Sequence, residues 1–251
     1  MKKINDRIGE EGYNKRGNKI IITKYNSWDD VNIYFPKYNW TAFNKRYSRF
    51  KDGSVNCPYE PTLFDVGFIG EGEHPICENG KMTRAYNYWA NMLKRCYYND
   101  EYDSKTAKEW LNFQNFAQWD KENYYNIPNE RICLDKDILY KGNKIYSPST
   151  CIYVPNRINV MFTNCKKARG NYPVGVYKDK KRNIYSASLN KMGIREYLGA
   201  YSTYEEAFEV YKYHKEKYMK EVIDSYEGKI PTHQYEKLHK AIYNWKIEII
   251  D

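Results

Sequence analysis

The chain has 251 residues, enough for two or three small domains or for one domain with a sizeable core. Its 41 Lys and Arg against 32 Asp and Glu leave a formal charge of +9, and its 28 tyrosines bring many aromatic rings into a hydrophilic sequence. No apolar run approaches the roughly 18 residues a membrane span requires, no cleavable apolar leader is visible, and the scattered cysteines lack CxxC or Cys/His spacing, which excludes a zinc finger. The expectation is a cytoplasmic protein with reduced thiols, in which Cys96, Cys133 and Cys151, among apolar neighbours, are buried structural residues. Tyr buries a ring and still hydrogen-bonds, which suits small β-rich domains with wet binding faces.

The first piece, residues 1–72, reads as a small β-rich domain. KIIITK (19–24) and VNIYF (31–35) are β-prone runs joined by a polar stretch, which predicts a hairpin. YSRFKDGSV (47–55) carries an Asp-Gly turn at Asp52 and Gly53, and the prolines and glycines from Pro58 to Gly72 punctuate short strands and loops. Lys45, Arg46, Arg49 and Lys51 have the charge to track a phosphate backbone, or to form an ordinary solvated surface. The wording YSRFKDGSVNCPYEP resembles an N-terminal module of phage and mobile-element proteins, a resemblance that carries no activity with it.

The second piece, 73–165, opens with two amphipathic helices. Trp89, Met92, Leu93 and Cys96 fall at i, i+3, i+4 and i+7, and Trp110, Phe113, Phe116 and Ala117 form a second stripe, so these side chains are expected in the core of a helix pair. Next come a β-prone run from Cys133 to Leu139 with Asp135 and Asp137, a turn at Gly142 and Asn143, a second run from Cys151 to Val154, and a short helix over 157–163. Strand, loop, strand and helix, with an acid on the first strand, outline a ββα finger.

The third piece, 166–228, predicts three strands, 174–178, 184–190 and 195–201, followed by a helix. Thr203 and Glu206 have capping-box spacing at its start. Ala207, Val210, Tyr211, His214 and Tyr218 make its apolar stripe. Between Lys166 and Tyr197 nine basic residues (Lys166, Lys167, Arg169, Lys178, Lys180, Lys181, Arg182, Lys191 and Arg195) face two acids, Asp179 and Glu196. Such an excess attracts polyanions, nucleic acid above all. Residues 229–251 predict a terminal helix with Tyr235, Leu238, His239, Ile242, Trp245 and Ile249 on one side, packed on another module or a second subunit.

Two resemblances follow from these stretches. YWANMLKRC, EWLNFQNFAQW and LDKDI…GNKIYSPSTC together resemble phage HNH endonucleases of the homing type, with a ββα-metal (His-Me finger-like) domain. That likeness implies a metal-binding Asp at Asp135, a last ligand at Asn159, and a Mg²⁺ if the centre is active. The general-base His of the family falls on Lys136, and its Asn after Tyr-x-Pro-x falls on Thr150. A catalytic base must be neutral near pH 7, as imidazole readily is. Lys136 is flanked by two carboxylates that favour its charged form.

GVY, YSASL and EYLGAYSTYEEA, with the helix behind them, resemble the AP2 DNA-binding domain over about 50 residues. The likeness implies an antiparallel sheet laid in the DNA major groove, with Tyr177, Lys178, Tyr185, Arg195 and Tyr197 on the DNA face and Lys180, Lys181 and Arg182 on phosphate. The family's Arg after Gly-Val is Tyr177 here, and its Trp positions are Tyr185 and Tyr197. The expected protein is therefore an α+β, multidomain, DNA-binding protein of phage or mobile-element type, cytoplasmic in a bacterial host cell. Three functions remain open: binding double-stranded DNA with little cleavage, Mg²⁺-dependent DNA cleavage, and inhibition of a host nucleic-acid-processing protein.

Overall fold

The computed structural model describes residues 7–99, 103–163 and 172–249. Helix and strand are mixed along the chain, and no helix among the described residues is long and apolar enough to cross a membrane. Cys165 and the basic residues Lys166, Lys167 and Arg169 lie outside the described residues. The chain divides into two compact units, Met1–Trp119 and Asp120–Asp251.

In the first unit β1 (Glu11–Tyr13), β2 (Lys19–Ser27), β3 (Asp30–Phe35) and β4 (Trp40–Lys45) form one antiparallel meander in chain order. Side chains alternate across a pleated strand, so Ile20, Ile22, Val31, Ile33, Phe35 and Ala42 are buried together. Phe50, Val55 and Cys57 close over them. Phe50 is delivered by α1 (Tyr47–Lys51), a single helical turn in the stretch where the sequence announces only the turn at Gly53. A hairpin of β5 (Cys77–Glu78) and β6 (Lys81–Met82) leads to α2 (Arg84–Tyr97), whose first turn is capped by the Thr83 hydroxyl accepting from the Tyr86 amide at 3.3 Å.

Trp89, Met92 and Leu93 are buried as the spacing predicts, but Cys96, at the end of the stripe, is only half-buried. After β7 (Lys105–Thr106), Trp110 sits in a 3₁₀ turn ahead of α3 (Phe113–Asn123) and not in the helix itself. It is nonetheless fully buried. Its ring packs 5.0 Å from Phe116, and its carbonyl accepts a 2.7 Å hydrogen bond from the Trp89 indole.

In the second unit β8 (Ile132–Asp135) and β10 (Ile152–Pro155) pair antiparallel, with Asp135 opposite Ile152, and β9 (Ile145–Tyr146) lies in the connection between them. The first strand stops at Asp135 and does not run on to Leu139. There the carboxylate Oδ1 accepts the amides of Asp137 (2.9 Å) and Ile138 (2.8 Å) and turns the chain out of the sheet. Cys133 alternates toward the wetter side and is half-buried, whereas Cys151 is buried. The helix expected over 157–163 is a short α4 (Asn156–Asn159) that continues as a 3₁₀ turn.

β11 (Val176–Asp179), β12 (Ile184–Lys191) and β13 (Ile194–Tyr201) form a three-stranded antiparallel sheet, and α5 (Tyr204–Asp224) packs across it. The capping box is present: the Thr203 hydroxyl accepts from the Glu206 amide, and Glu206 accepts from the Thr203 amide, both at 3.2 Å. Ala207, Phe208, Tyr211 and Tyr218 are buried, while Val210 and His214 of the expected stripe are half-buried. Gly175 has φ +79°, and a Cβ there would stand 2.1 Å from the Tyr211 ring, so the Gly of the GVY stretch is a steric requirement.

The terminal helix α6 (Thr232–Asn244) packs on α5 through Leu238 and Ile242. It ends before Trp245, which caps it and meets Phe162 edge-on at 4.6 Å. Ile249, read from the sequence as part of the stripe, is exposed.

Candidate nucleic-acid interface

The hairpin residues are largely bonded to one another. One oxygen of Asp135 serves the two amides of its own turn. Burial, and then the neighbouring Asp137 charge, push the Asp135 carboxyl well above the ordinary carboxylate range. The Lys136 ammonium donates to Asp137 Oδ2 at 3.0 Å and lies 5.7 Å from the centre of the Tyr146 ring. Asn143 clamps the loop, its Nδ2 donating to the carbonyls of Lys136 (2.6 Å) and Ile145 (2.8 Å).

Thr150 is drawn into the following turn: its hydroxyl donates to the Ile145 carbonyl at 2.7 Å and lies 2.8 Å from Ser147 Oγ. Asn159 stands at the end of α4, which packs on both β8 and β10. His74, which belongs to the first unit, has its Nε2 3.0 Å from Gln118 Oε1. The Cys151 thiol, pushed up to about 12 by burial, is chemically quiet.

A divalent cation such as Mg²⁺ takes hard oxygens in near-octahedral array. The hairpin offers the remaining oxygen of Asp135 and the Asn159 amide, with an ammonium already neutralising Asp137. Among the described residues no three His, Cys, Asp or Glu side chains gather into a metal-holding group.

The C-terminal sheet is arranged differently. Opposite the helix it presents an open face, on which the register sets Tyr177 beside Ser186, Ser188 beside Tyr197, and Asn190 beside Arg195. Tyr177, Ser186, Ser188, Arg195 and Tyr197, together with Lys178 and Asp179 of β11, line a hollow of about 330 Å³ with a floor of Ser186 and Ser188. The Arg195 guanidinium carbon lies over the Tyr177 ring, 4.2 Å from its centre. Lys180, Lys181 and Arg182 project from the β11–β12 turn, all exposed. Asp179 organises that turn by accepting the Lys181 amide at 2.9 Å and the Arg182 amide at 3.2 Å.

Of the five strand residues read as one DNA face, the pleat keeps Tyr177, Arg195 and Tyr197 together. Lys178 and Tyr185 are cross-strand partners on the other face, where Lys178 lies 5.3 Å from the Tyr185 ring and Tyr185 packs edge-on against Tyr204 of α5. Neighbours in a strand cannot both face one way, so the separation of Tyr177 from Lys178 is legible from parity alone. Ser186 and Ser188 give no signal in the sequence, because small residues mark a hollow only once their register with larger ones is known. Comparison with protein-family models, with curated proteins and with solved structures finds no match to this chain.

Proposed function

We propose that this protein binds double-stranded DNA through the open face of its C-terminal sheet, as the AP2 resemblance implies, and that its HNH-like hairpin holds without efficient cutting. The observation that carries the reading is the contrast in cations. Lys180 and Lys181 have no ion pair among the described residues, and Arg195 is stacked on Tyr177 and exposed, whereas Lys136 is bonded to Asp137. Lys and Arg left free on one face neutralise phosphates and release counterions. An Arg held over a ring on that face has the fork that guanine O6 and N7 accept. The phage or mobile-element setting rests on the same resemblances.

One observation favours the rival, a metal-dependent endonuclease. Asp135 is buried and titrates above the ordinary carboxylate range, the kind of perturbation that gathers at catalytic centres. In that reading Asp135 and Asn159 would hold Mg²⁺, which would supply an activated water and charge neutralisation at the phosphate. Plasmid retardation and nicking assays with Mg²⁺ and with Mn²⁺ separate the two. Retardation without nicking is the expected result, and nicking that disappears in Asp135→Ala overturns it. Absence of any DNA binding at low salt leaves the third function, a host-protein inhibitor, as the better account.

A further inference from the structure

A second cavity lies within the same unit and shares no residue with the hollow of the open sheet face. It has a volume of about 440 Å³ and is walled on one side by α6 and on the other by the loop after β8 and the turn before β10. From α6 come Gln234, Lys237, Lys240 and Asn244, spaced so that one helix face looks into it. From the hairpin come Tyr140 and Ser149.

Three properties of this cavity point to a ligand. First, its lining holds two lysines and no carboxylate, and neither lysine has an ion pair among the described residues, so it is a site of net positive charge. Second, Tyr140 stands at its rim with 58 % of its surface exposed, a large aromatic ring that the fold leaves unused. Third, Gln234 is 3 % exposed and donates through Nε2 to the Asn123 carbonyl at 2.6 Å. That bond fixes which end of the amide is which and leaves Oε1 buried without a partner.

We infer that this cavity is a binding site for a nucleotide unit, with Lys237 and Lys240 on its phosphate, Tyr140 against its base, and the Asn244, Ser149 and Gln234 amides and hydroxyl on its polar edges. The volume lies within the range of small-molecule sites, roughly 300–1,000 Å³. The pairing of cations with an aromatic platform is how single-stranded nucleic acid is held. Inorganic phosphate or a carboxylic acid would use the lysines and leave the ring idle. The nucleotide can arrive free or as an unpaired unit of a strand, and the two sources share this chemistry. The inference stands apart from the DNA-binding role of the sheet, since the two sites have no residue in common.

The test uses the full chain with three probes: thymidine monophosphate, an eight-residue oligothymidylate and inorganic phosphate, each titrated by calorimetry. The expected order of affinity places both nucleotide probes above phosphate. Tyr140→Ala should weaken the nucleotide probes roughly tenfold, since a base stack contributes about 1–3 kcal/mol, and leave phosphate unchanged. Lys237→Ala/Lys240→Ala should weaken all three.

Oligothymidylate much tighter than the monophosphate assigns the site to an unpaired strand, and equal affinity assigns it to free nucleotide. The changed side chains are exposed, so circular dichroism should register no loss of fold. Lys180→Ala/Lys181→Ala/Arg182→Ala, on the sheet, should leave monophosphate binding intact, so a failure of the sheet reading and a failure of this one look different. Monophosphate affinity unchanged in Lys237→Ala/Lys240→Ala, or phosphate as tight as the nucleotides, overturns the inference.

Discussion

The hairpin around Asp135 and the sheet around Arg195 are both polar, but they spend their polar groups in opposite ways. In the hairpin, Asp135 is taken up by two amides, Lys136 by Asp137, Asn143 by two carbonyls and Thr150 by a carbonyl and a hydroxyl. In the sheet, the outward positions carry Tyr177, Arg195 and Tyr197 over a serine floor, and the adjacent turn presents three cations to solvent. A group bonded within the fold has little left to offer a ligand, and a group left to water has all of it. The capacity to bind follows what the fold leaves unpaired.

Four changes break or sharpen that contrast. The largest effect is expected at Gly175. An alanine there meets both a positive φ and the Tyr211 ring, so Gly175→Ala should cost about 3–4 kcal/mol in urea denaturation. DNA affinity should fall with it if the open face does the binding. Next, Lys180→Ala/Lys181→Ala/Arg182→Ala should weaken DNA binding by roughly tenfold or more. It should also reduce the slope of log K against log salt by about 2.7, since each phosphate contact contributes about 0.9. Unchanged affinity would remove the turn from the interface.

Asp135→Asn bears on the hairpin. Burial and Asp137 raise the carboxyl to about 6 in the folded chain, above the unfolded value of about 3.9. The folded state therefore binds the extra proton, and this residue's contribution to stability is favourable at low pH and is lost as pH rises through that interval. Asparagine keeps an acceptor for the two turn amides without the charge. The variant should be more stable than the parent by roughly 1–3 kcal/mol at pH 7.5, with the gain vanishing near pH 4. A loss of stability at pH 7.5 would mean that the carboxylate is held by a cation the hairpin recruits. The smallest change is Thr203→Ala, which removes one half of the capping box and should cost about 1 kcal/mol, with the hairpin untouched.

Much of the secondary structure was legible because its causes are local. The alternation in 19–35 and 174–201, the 3.6-residue stripes of α2 and α5, and the Thr203–Glu206 cap each announce themselves within a few residues. What escaped depends on which side chain meets which partner, near or far in sequence. The strand at Asp135 ends early because a side chain prefers its own turn to the ladder, and Trp110, in the turn ahead of α3, is buried by rings of that helix. Near Glu60, a buried carboxylate accepts the side-chain amides of both Asn14 and Asn18, a knot that no spacing rule foretells.

The candidate site was legible in charge and illegible in phase. The basic turn 180–182 is plain in the sequence, but which tyrosines share a face with Arg195 follows from register and from a bulge between Ala187 and Ser188. The lysines of α6 carry no signal of their own in the sequence, because they lie on the side of that helix opposite its apolar stripe and read as ordinary solvated charge.

The Arg195–Tyr177 stack has a thermodynamic consequence. A free arginine surrenders about 2 kcal/mol of rotamer entropy when a ligand immobilises it, and this one already rests over a ring in the unliganded protein. Part of the ordering cost of association is met during folding. Contact through this guanidinium should therefore carry a smaller entropic penalty than contact through the exposed lysines of the neighbouring turn.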